Sequence, residues 1–256
     1  MMQEYDFNLN VFPSSREASL VVAKEIADAL SLRSSENSSL VLGLATGSTP
    51  VLVYEELVRL HLREHLSFKK AKCFNLDEYL GLEATHPESY QEFMKRNLFS
   101  KVDILPENAV VPNGKVPYDE ISAYCENYEA KIKDSGGIDI QILGIGRSGH
   151  IGFNEPGSSI DSFTRLVALD DVTRKDAEED FGGINNVPTH AITMGVGTIL
   201  AAKKIYLLVW GKAKAAILAD ALQGPICESV PASFIRNHPD VSIFIDEAAG
   251  QMLAGC

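Results

Sequence analysis

The sequence predicts an α/β protein: one mostly parallel, Rossmann-like sheet with helices on both faces. Strand-like and helix-like segments alternate along almost the whole chain, which is the order of βαβ units. Several strand-like segments, such as 39–45 and 138–145, are continuously apolar, as expected of strands covered on both faces. The most unusual local sequences follow three of these segments, at the strand ends where such sheets bind ligands.

The individual elements follow from periodicity and from turn residues. Apolar residues at helical spacing predict helices over 15–32, 50–66, 88–99, 121–133, 171–180 and 212–222. Pro50 suits the first turn of the second helix. Short apolar runs predict strands over 39–45, 72–76, 138–145, 165–169, 191–194, 205–210 and 241–245. With no linker or repeat between them, we expect one domain over 1–256, with its core at about 14–246.

Composition limits the classes of partner. A net charge of −12 argues against a surface for nucleic acid or anionic membranes, since either needs clustered Lys and Arg. No apolar run approaches the ~20 residues that span a bilayer, and residues 1–10 lack the apolar core of a signal peptide. The four cysteines are scattered, without metal-binding spacing. We therefore expect a cytoplasmic protein with reduced thiols.

The first unusual segment is Thr46-Gly47-Ser48-Thr49, between a strand and a helix. Successive backbone N–H groups, hydroxyls and a helix N-terminus make an anion cradle. A tight turn capped by Ser48 or Thr49 is the alternative, because such turns are common.

The second segment places two adjacent carboxylates, Asp77 and Glu78, at the end of the next strand. A partly buried carboxylate at a strand end suits a general base. The alternative is that one of the pair caps a helix.

The third segment is the glycine-rich run from Gly144 to Gly157, which contains His150 and Glu155. Its glycines let the backbone turn sharply and approach a ligand closely. An imidazole exchanges protons near neutral pH, and Glu155 is near enough in sequence to orient it. A histidine in such a loop, after a buried strand, points to catalysis.

Together these segments resemble the glucosamine-6-phosphate deaminase (isomerase) family. The resemblance extends from about Ser14 to Ile245 and rests on motifs in the family's order. They are TGSTP at 46–50, FNLDEY at 74–79, HPESY at 86–90, GIGRSGHIGFNEP at 144–156 and MGVGT at 194–198. It implies conversion of D-glucosamine 6-phosphate and water to D-fructose 6-phosphate and ammonia, without metal or redox cofactor. Because relatives range from monomers to hexamers, we expect some self-association.

The resemblance also implies roles for residues at matching positions. Asp77 is the expected base that moves a proton between C2 and C1 through an enediol-type intermediate. His150 is the expected acid/base that opens the sugar ring, with Glu155 as its partner. The phosphate-binding positions correspond to the turn at 46–49 and to Lys214. The role of Lys214 is implied by the resemblance alone.

Two positions depart from the family pattern. Ser148 stands where well-known members often carry an Asp that braces the histidine. Because a serine can hydrogen-bond but carries no charge, we expect Glu155 alone to stabilise the imidazolium by charge and ring opening to be slower. Glu179 stands where a phosphate-binding Arg is expected, inside the acidic run 176–180. We interpret that run as a solvated helix face, with Arg174 or Lys175 as candidate substitutes for the missing cation.

Three other functions remain open at this stage. A galactosamine-6-phosphate deaminase would use the same mechanism, and nothing in these motifs reads the C4 hydroxyl. A 6-phosphogluconolactonase shares the fold and a related Gly-His loop, although FNLDEY and FNEP favour the deaminase. A sugar-phosphate-binding regulator without catalysis is the third, which retention of Asp77, His150 and Glu155 disfavours.

Overall fold

The computed structural model describes residues 7–254 and alternates strands with helices. The strands are β1 (Asn8–Phe12), β2 (Leu40–Leu44), β3 (Ala71–Asn75), β4 (Asp77–Tyr79), β5 (Ala109–Val110), β6 (Ile140–Leu143), β7 (Arg165–Ala168), β8 (His190–Thr193), β9 (Lys204–Val209) and β10 (Val241–Asp246). The α-helices are α1 (Ser15–Ser35), α2 (Val51–Glu64), α3 (Tyr90–Asn97), α4 (Ile121–Asp134), α5 (Asp171–Ala177), α6 (Val196–Leu200), α7 (Ala215–Gln223) and α8 (Glu247–Gly250). Each predicted helix and strand therefore has a counterpart, with shifted ends.

Seven strands form one parallel sheet in the order β1-β10-β9-β6-β2-β3-β5. Alternate residues of its interior strand β2 enter opposite apolar layers. Leu42 and Leu44 pack with α1 and α2, whereas Val41 packs on the side of α4 and α7. This two-sided burial explains why the strand is apolar throughout. The predicted α/β fold with a mostly parallel sheet is confirmed.

The other three strands form a separate antiparallel sheet in the order β4-β8-β7. The prediction that 165–169 and 191–194 continue the parallel alternation is therefore wrong. Strand β7 is only half-buried, unlike the doubly covered strands of a parallel sheet. The chain passes from β3 through Leu76 directly into β4 without a crossover helix, and Asp77 pairs with Thr193 of β8. This small sheet thus places Asp77 beyond the carboxyl end of β3.

Strand β1 was not predicted because its sequence is polar. It is an edge strand, half-exposed, and Asn10 donates from Nδ2 to the carbonyl of Ile243 in β10. Polar residues are typical of sheet edges that resist pairing with another molecule. A prediction of strands from short apolar runs therefore does not detect such a strand.

The described residues hold Cys73, Cys125 and Cys227 as unpaired thiols, and Cys256 lies outside them. Across 7–254, none of the helices combines the length and the apolar character required to cross a membrane.

Candidate active site

Three loops meet at the carboxyl edge of the parallel sheet and enclose a cleft of about 330 Å³. They follow β2, β3 and β6, and β2 and β6 are neighbours in the sheet. Because parallel strands present their carboxyl ends at one edge, segments distant in sequence converge there. Every residue assigned to the site from sequence lines this cleft except Ser148 and Glu155, which stand behind the lining residue His150.

The turn after β2 lies at the N-terminus of α2 and is shaped as an anion cradle. Gly47 has φ +82, a conformation that favours glycine. Within 7–254, the backbone N–H groups of Gly47, Ser48 and Thr49 donate to no protein acceptor. The turn is held from behind, where Tyr54 Oη donates to the carbonyl of Ala45 at 2.6 Å. These free donors suit a phosphate group.

Lys214 lies at the end of a 3₁₀ turn that leads into α7, and its side chain enters the same cleft. Its Nζ donates to the carbonyl of Ile145 at 2.8 Å, so the ammonium is anchored beside the glycine-rich loop. Burial lowers its pKa, Asp176 opposes this shift, and Arg147 adds to it. The cleft therefore contains a fixed cation near the cradle.

Asp77 is 4% exposed, with its carboxylate directed into the cleft. Burial and the neighbouring Glu78 raise its pKa to about 8. The backbone N–H of Phe153 offsets part of that rise. A Cβ on Gly152 would come within 3.3 Å of Asp77 Oδ2, so the glycine-rich loop lies directly against this carboxylate. A desolvated carboxylate of this kind suits proton transfer at carbon.

Glu78 has a different environment from its neighbour, although both are buried. Its carboxylate accepts hydrogen bonds from the backbone N–H groups of Tyr79, Tyr90 and Gln91 and from the hydroxyl of Ser89. These donors include the first turn of α3, so Glu78 caps that helix. The adjacent pair therefore separates into a structural carboxylate and one that faces the cleft.

His150 stands opposite on the glycine-rich loop, held through one ring nitrogen. Its Nδ1 lies 3.1 Å from Glu155 Oε2 and 2.9 Å from Ser148 Oγ. With Nδ1 held in this way, Nε2 is the nitrogen available to a ligand. A Cβ on Gly146 would lie 2.0 Å from Nε2, so only glycine lets the ring occupy this place.

Two hydroxyl groups hold the carboxylate of Glu155 behind this histidine. Ser148 Oγ donates to Glu155 Oε2 at 3.1 Å, and Thr173 of α5 donates to Glu155 Oε1. Burial alone would raise the pKa of Glu155. The interactions with His150, Thr173 and Ser148 together lower it by more than burial raises it, so the net shift is downward. Thr173 was missed because only the fold brings α5 to this loop.

We expect Ser148→Asp to raise kcat/KM several-fold. Ser148 Oγ lies 2.9 Å from His150 Nδ1, and a carboxylate in its place would stabilise the transient imidazolium of ring opening. The measurement is kcat/KM from pH 5 to 9 for both proteins. An unchanged profile would show that Ser148 has no electrostatic influence on the histidine.

Aromatic rings close one side of the cleft. The ring centroids of Tyr79, Tyr90 and Phe153 are 5.0 to 5.8 Å apart. All three residues line the cleft and also pack against one another. They therefore supply an apolar wall that excludes water from the region around Asp77.

Helix α5 and the turn after it border the mouth of the cleft with acidic side chains. Asp176 and Asp180 line the cleft and are also exposed to solvent. Neither cation proposed from sequence reaches the cleft lining: Arg174 donates to the carbonyls of Ile184 and Val187, and Lys175 pairs with Glu178. Among residues 7–254, no group of three or more His, Cys, Asp or Glu is placed to hold a metal ion.

Comparisons with known proteins agree with this geometry. The family model described as glucosamine-6-phosphate isomerases/6-phosphogluconolactonase matches residues 13–243. A glucosamine-6-phosphate deaminase of Bacillus pumilus (strain SAFR-032) is 46% identical over 237 residues, which cover 93% of this chain and 94% of the relative.

Solved structures extend the comparison. The structure of a monomeric glucosamine-6-phosphate deaminase superposes with a TM-score of 0.91 at 41% identity, covering 96% of this chain and 100% of that one. A 6-phosphogluconolactonase from Trypanosoma cruzi superposes with a TM-score of 0.79 at 23% identity, covering 98% of each chain. At that identity, the second match concerns the fold alone.

Proposed function

The chain belongs to the family of glucosamine-6-phosphate isomerases and 6-phosphogluconolactonases, and we propose that it is a glucosamine-6-phosphate deaminase. The proposed reaction converts D-glucosamine 6-phosphate and water to D-fructose 6-phosphate and ammonia. One observation carries the proposal: the buried carboxylate of Asp77 and the braced imidazole of His150 line one cleft with an anion cradle. A lactonase has no carbon-bound proton to remove, whereas this reaction requires that step.

Ring opening is the first chemical step. His150 Nε2 accepts the proton of the C1 hydroxyl and delivers it to the ring oxygen, so the C1–O5 bond breaks and an open-chain aldehyde forms. Glu155 stabilises the transient imidazolium through the contact at Nδ1. A positioned histidine is suited to such a two-way transfer at neutral pH.

Isomerisation and deamination follow at C1 and C2. Asp77 removes the proton from C2, and O1 takes a proton from the ammonium group on C2, which leaves a neutral amine on a C1–C2 double bond. Asp77 then returns its proton to C1 while the nitrogen lone pair forms a double bond to C2, which gives an iminium at C2 and leaves O1 as the hydroxyl of C1. Water adds to that carbon and ammonia leaves, which yields the ketose. The raised pKa of Asp77 suits a group that must both take and return a proton.

Lys214→Ala is expected to raise KM for glucosamine 6-phosphate about 10- to 100-fold with little change in kcat. The anchored ammonium binds the phosphate equally in the ground and transition states, so its loss weakens binding rather than chemistry. Lys212→Ala is the matched control, since Lys212 is an exposed lysine of the same turn. Equal effects of the two substitutions would contradict a specific role for Lys214.

One assay tests the proposal against its alternatives. The purified protein is given glucosamine 6-phosphate, and ammonia and fructose 6-phosphate are measured. Parallel reactions contain galactosamine 6-phosphate or 6-phosphogluconolactone. We expect both products at the highest kcat/KM from glucosamine 6-phosphate. Preference for the galactose epimer, lactone hydrolysis alone, or binding without turnover would each replace the proposal with the corresponding alternative.

A further inference from the structure

The cleft contains few cations for a ligand that carries a phosphate dianion. Besides His150, the cationic side chains that line it in the described chain are Lys214 and Arg147. Asp176 and Asp180 line the same cleft and would repel a dianion. Because Arg174 and Lys175 do not line it, helix α5 supplies no cation to the ligand. A second cation has to come from another element.

Arg147 is placed to provide that charge. It lies in the glycine-rich loop, two residues after Ile145, whose carbonyl anchors Lys214 Nζ. Its Nη1 donates to Asp176 Oδ1 at 2.7 Å, across the mouth of the cleft. Within 7–254, Nε and Nη2 of Arg147 donate to no protein group. A guanidinium with unused donors is suited to bidentate binding of phosphate.

The ion pair between Arg147 and Asp176 is weak enough for Arg147 to exchange it for another anion. The side chain of Arg147 is 63% exposed and that of Asp176 is 37% exposed, and ion pairs in such settings are weak. Asp176 and Arg147 also act in opposite directions on the pKa of Lys214, so the three charges interact at close range. A phosphate beside Lys214 would attract Arg147 and repel Asp176.

We propose that Arg147 is the second phosphate-binding cation of this site and that Asp176 competes with the substrate phosphate for it. In the free protein, Asp176 holds the guanidinium at the mouth of the cleft. When substrate enters, the guanidinium turns from the carboxylate to the phosphate. This inference rests on the proposed function, because it assigns the phosphate to the cradle beside Lys214.

The test compares Arg147→Ala, Asp176→Asn and Lys175→Ala. For each full-length protein, kcat and KM are measured with glucosamine 6-phosphate, and the Kd of inorganic phosphate is measured by calorimetry. Arg147→Ala should raise both KM and Kd about 10- to 100-fold, with kcat nearly constant. Asp176→Asn should lower both constants several-fold. Lys175→Ala, which removes an exposed cation of α5, should change neither.

Unchanged phosphate binding in Arg147→Ala would overturn the inference. Weaker binding in Asp176→Asn would overturn the competition, because Asp176 would then be orienting Arg147 for the ligand. These outcomes are distinct from failure of the proposed function. A wild-type protein that releases no ammonia would refute the deaminase, while the phosphate titrations would still decide the role of Arg147.

Discussion

Asp77→Asn is expected to lower kcat by at least roughly 10³-fold while the protein remains folded. The amide keeps the shape of the side chain but cannot accept a proton from C2, and Asp77 is a buried carboxylate that lines the cleft. Positioned general bases contribute about 10² to 10⁴ in rate. The measurement is ammonia release at saturating glucosamine 6-phosphate.

The neighbouring carboxylate offers a matched control. Glu78→Gln removes the charge that accepts four hydrogen bonds, three of them from the start of α3. We expect it to reduce the free energy of unfolding by about 1 to 3 kcal/mol and to affect kcat far less than Asp77→Asn. If Glu78→Gln removed the activity and Asp77→Asn retained it, the assignment of the base would be wrong.

Asp77→Asn should also make the protein more stable at high pH. The pKa of Asp77 rises from its ordinary value of 3.8 to about 8 on folding, so the folded state holds a proton that the unfolded state has lost between these values. Folding stability of the wild type therefore falls as pH rises from about 4 to about 8. The variant lacks this loss, and its Tm advantage should grow over that range and then level off. A constant Tm difference would show that burial does not perturb Asp77.

His150→Asn is expected to lower kcat by about 10²- to 10³-fold. Asparagine cannot carry a proton from the C1 hydroxyl to the ring oxygen, so the enzyme would depend on the small fraction of sugar that opens spontaneously. That supply makes the loss smaller than the loss at Asp77. The measurement is kcat with glucosamine 6-phosphate, with His190→Asn as a control because His190 does not line the cleft.

An isotope effect identifies the step at which His150 acts. With substrate deuterated at C2, the wild type should show a primary isotope effect on kcat if C2–H cleavage limits the rate. In His150→Asn, ring opening becomes limiting and the effect should shrink toward unity. A full isotope effect in the variant would place His150 at the C2 proton transfer instead.

Much of the site was predictable because it consists of local segments after buried strands. The turn at Gly47 and the loop at His150 each combine unusual residues within a few positions, and parallel strands bring such segments to one edge. What the sequence could not reveal depends on contacts between distant segments. The separation of Asp77 from Glu78 arises from pairing of β4 with β8 and from the approach of α3.

The contacts of Thr173 and Arg147 were unpredictable for the same reason. Both depend on where α5 crosses the cleft, which places Thr173 against Glu155 and Asp176 against Arg147. In the sequence, Arg147 is only a charged residue within a glycine-rich loop. The role of its charge can be inferred only from the position of Asp176 on the opposite helix, α5.

A crystal structure with an open-chain amino-alditol 6-phosphate tests the central claim most directly, because this ligand mimics the opened sugar and cannot react. We expect its phosphate on the N–H groups of Gly47 to Thr49 and beside Lys214. Asp77 should then lie within about 3.2 Å of the hydroxyl on C1, and His150 Nε2 within about 3.2 Å of the hydroxyl on C5. A ligand bound with its phosphate outside the cradle, or with Asp77 and His150 unable to contact the same molecule, would contradict the account.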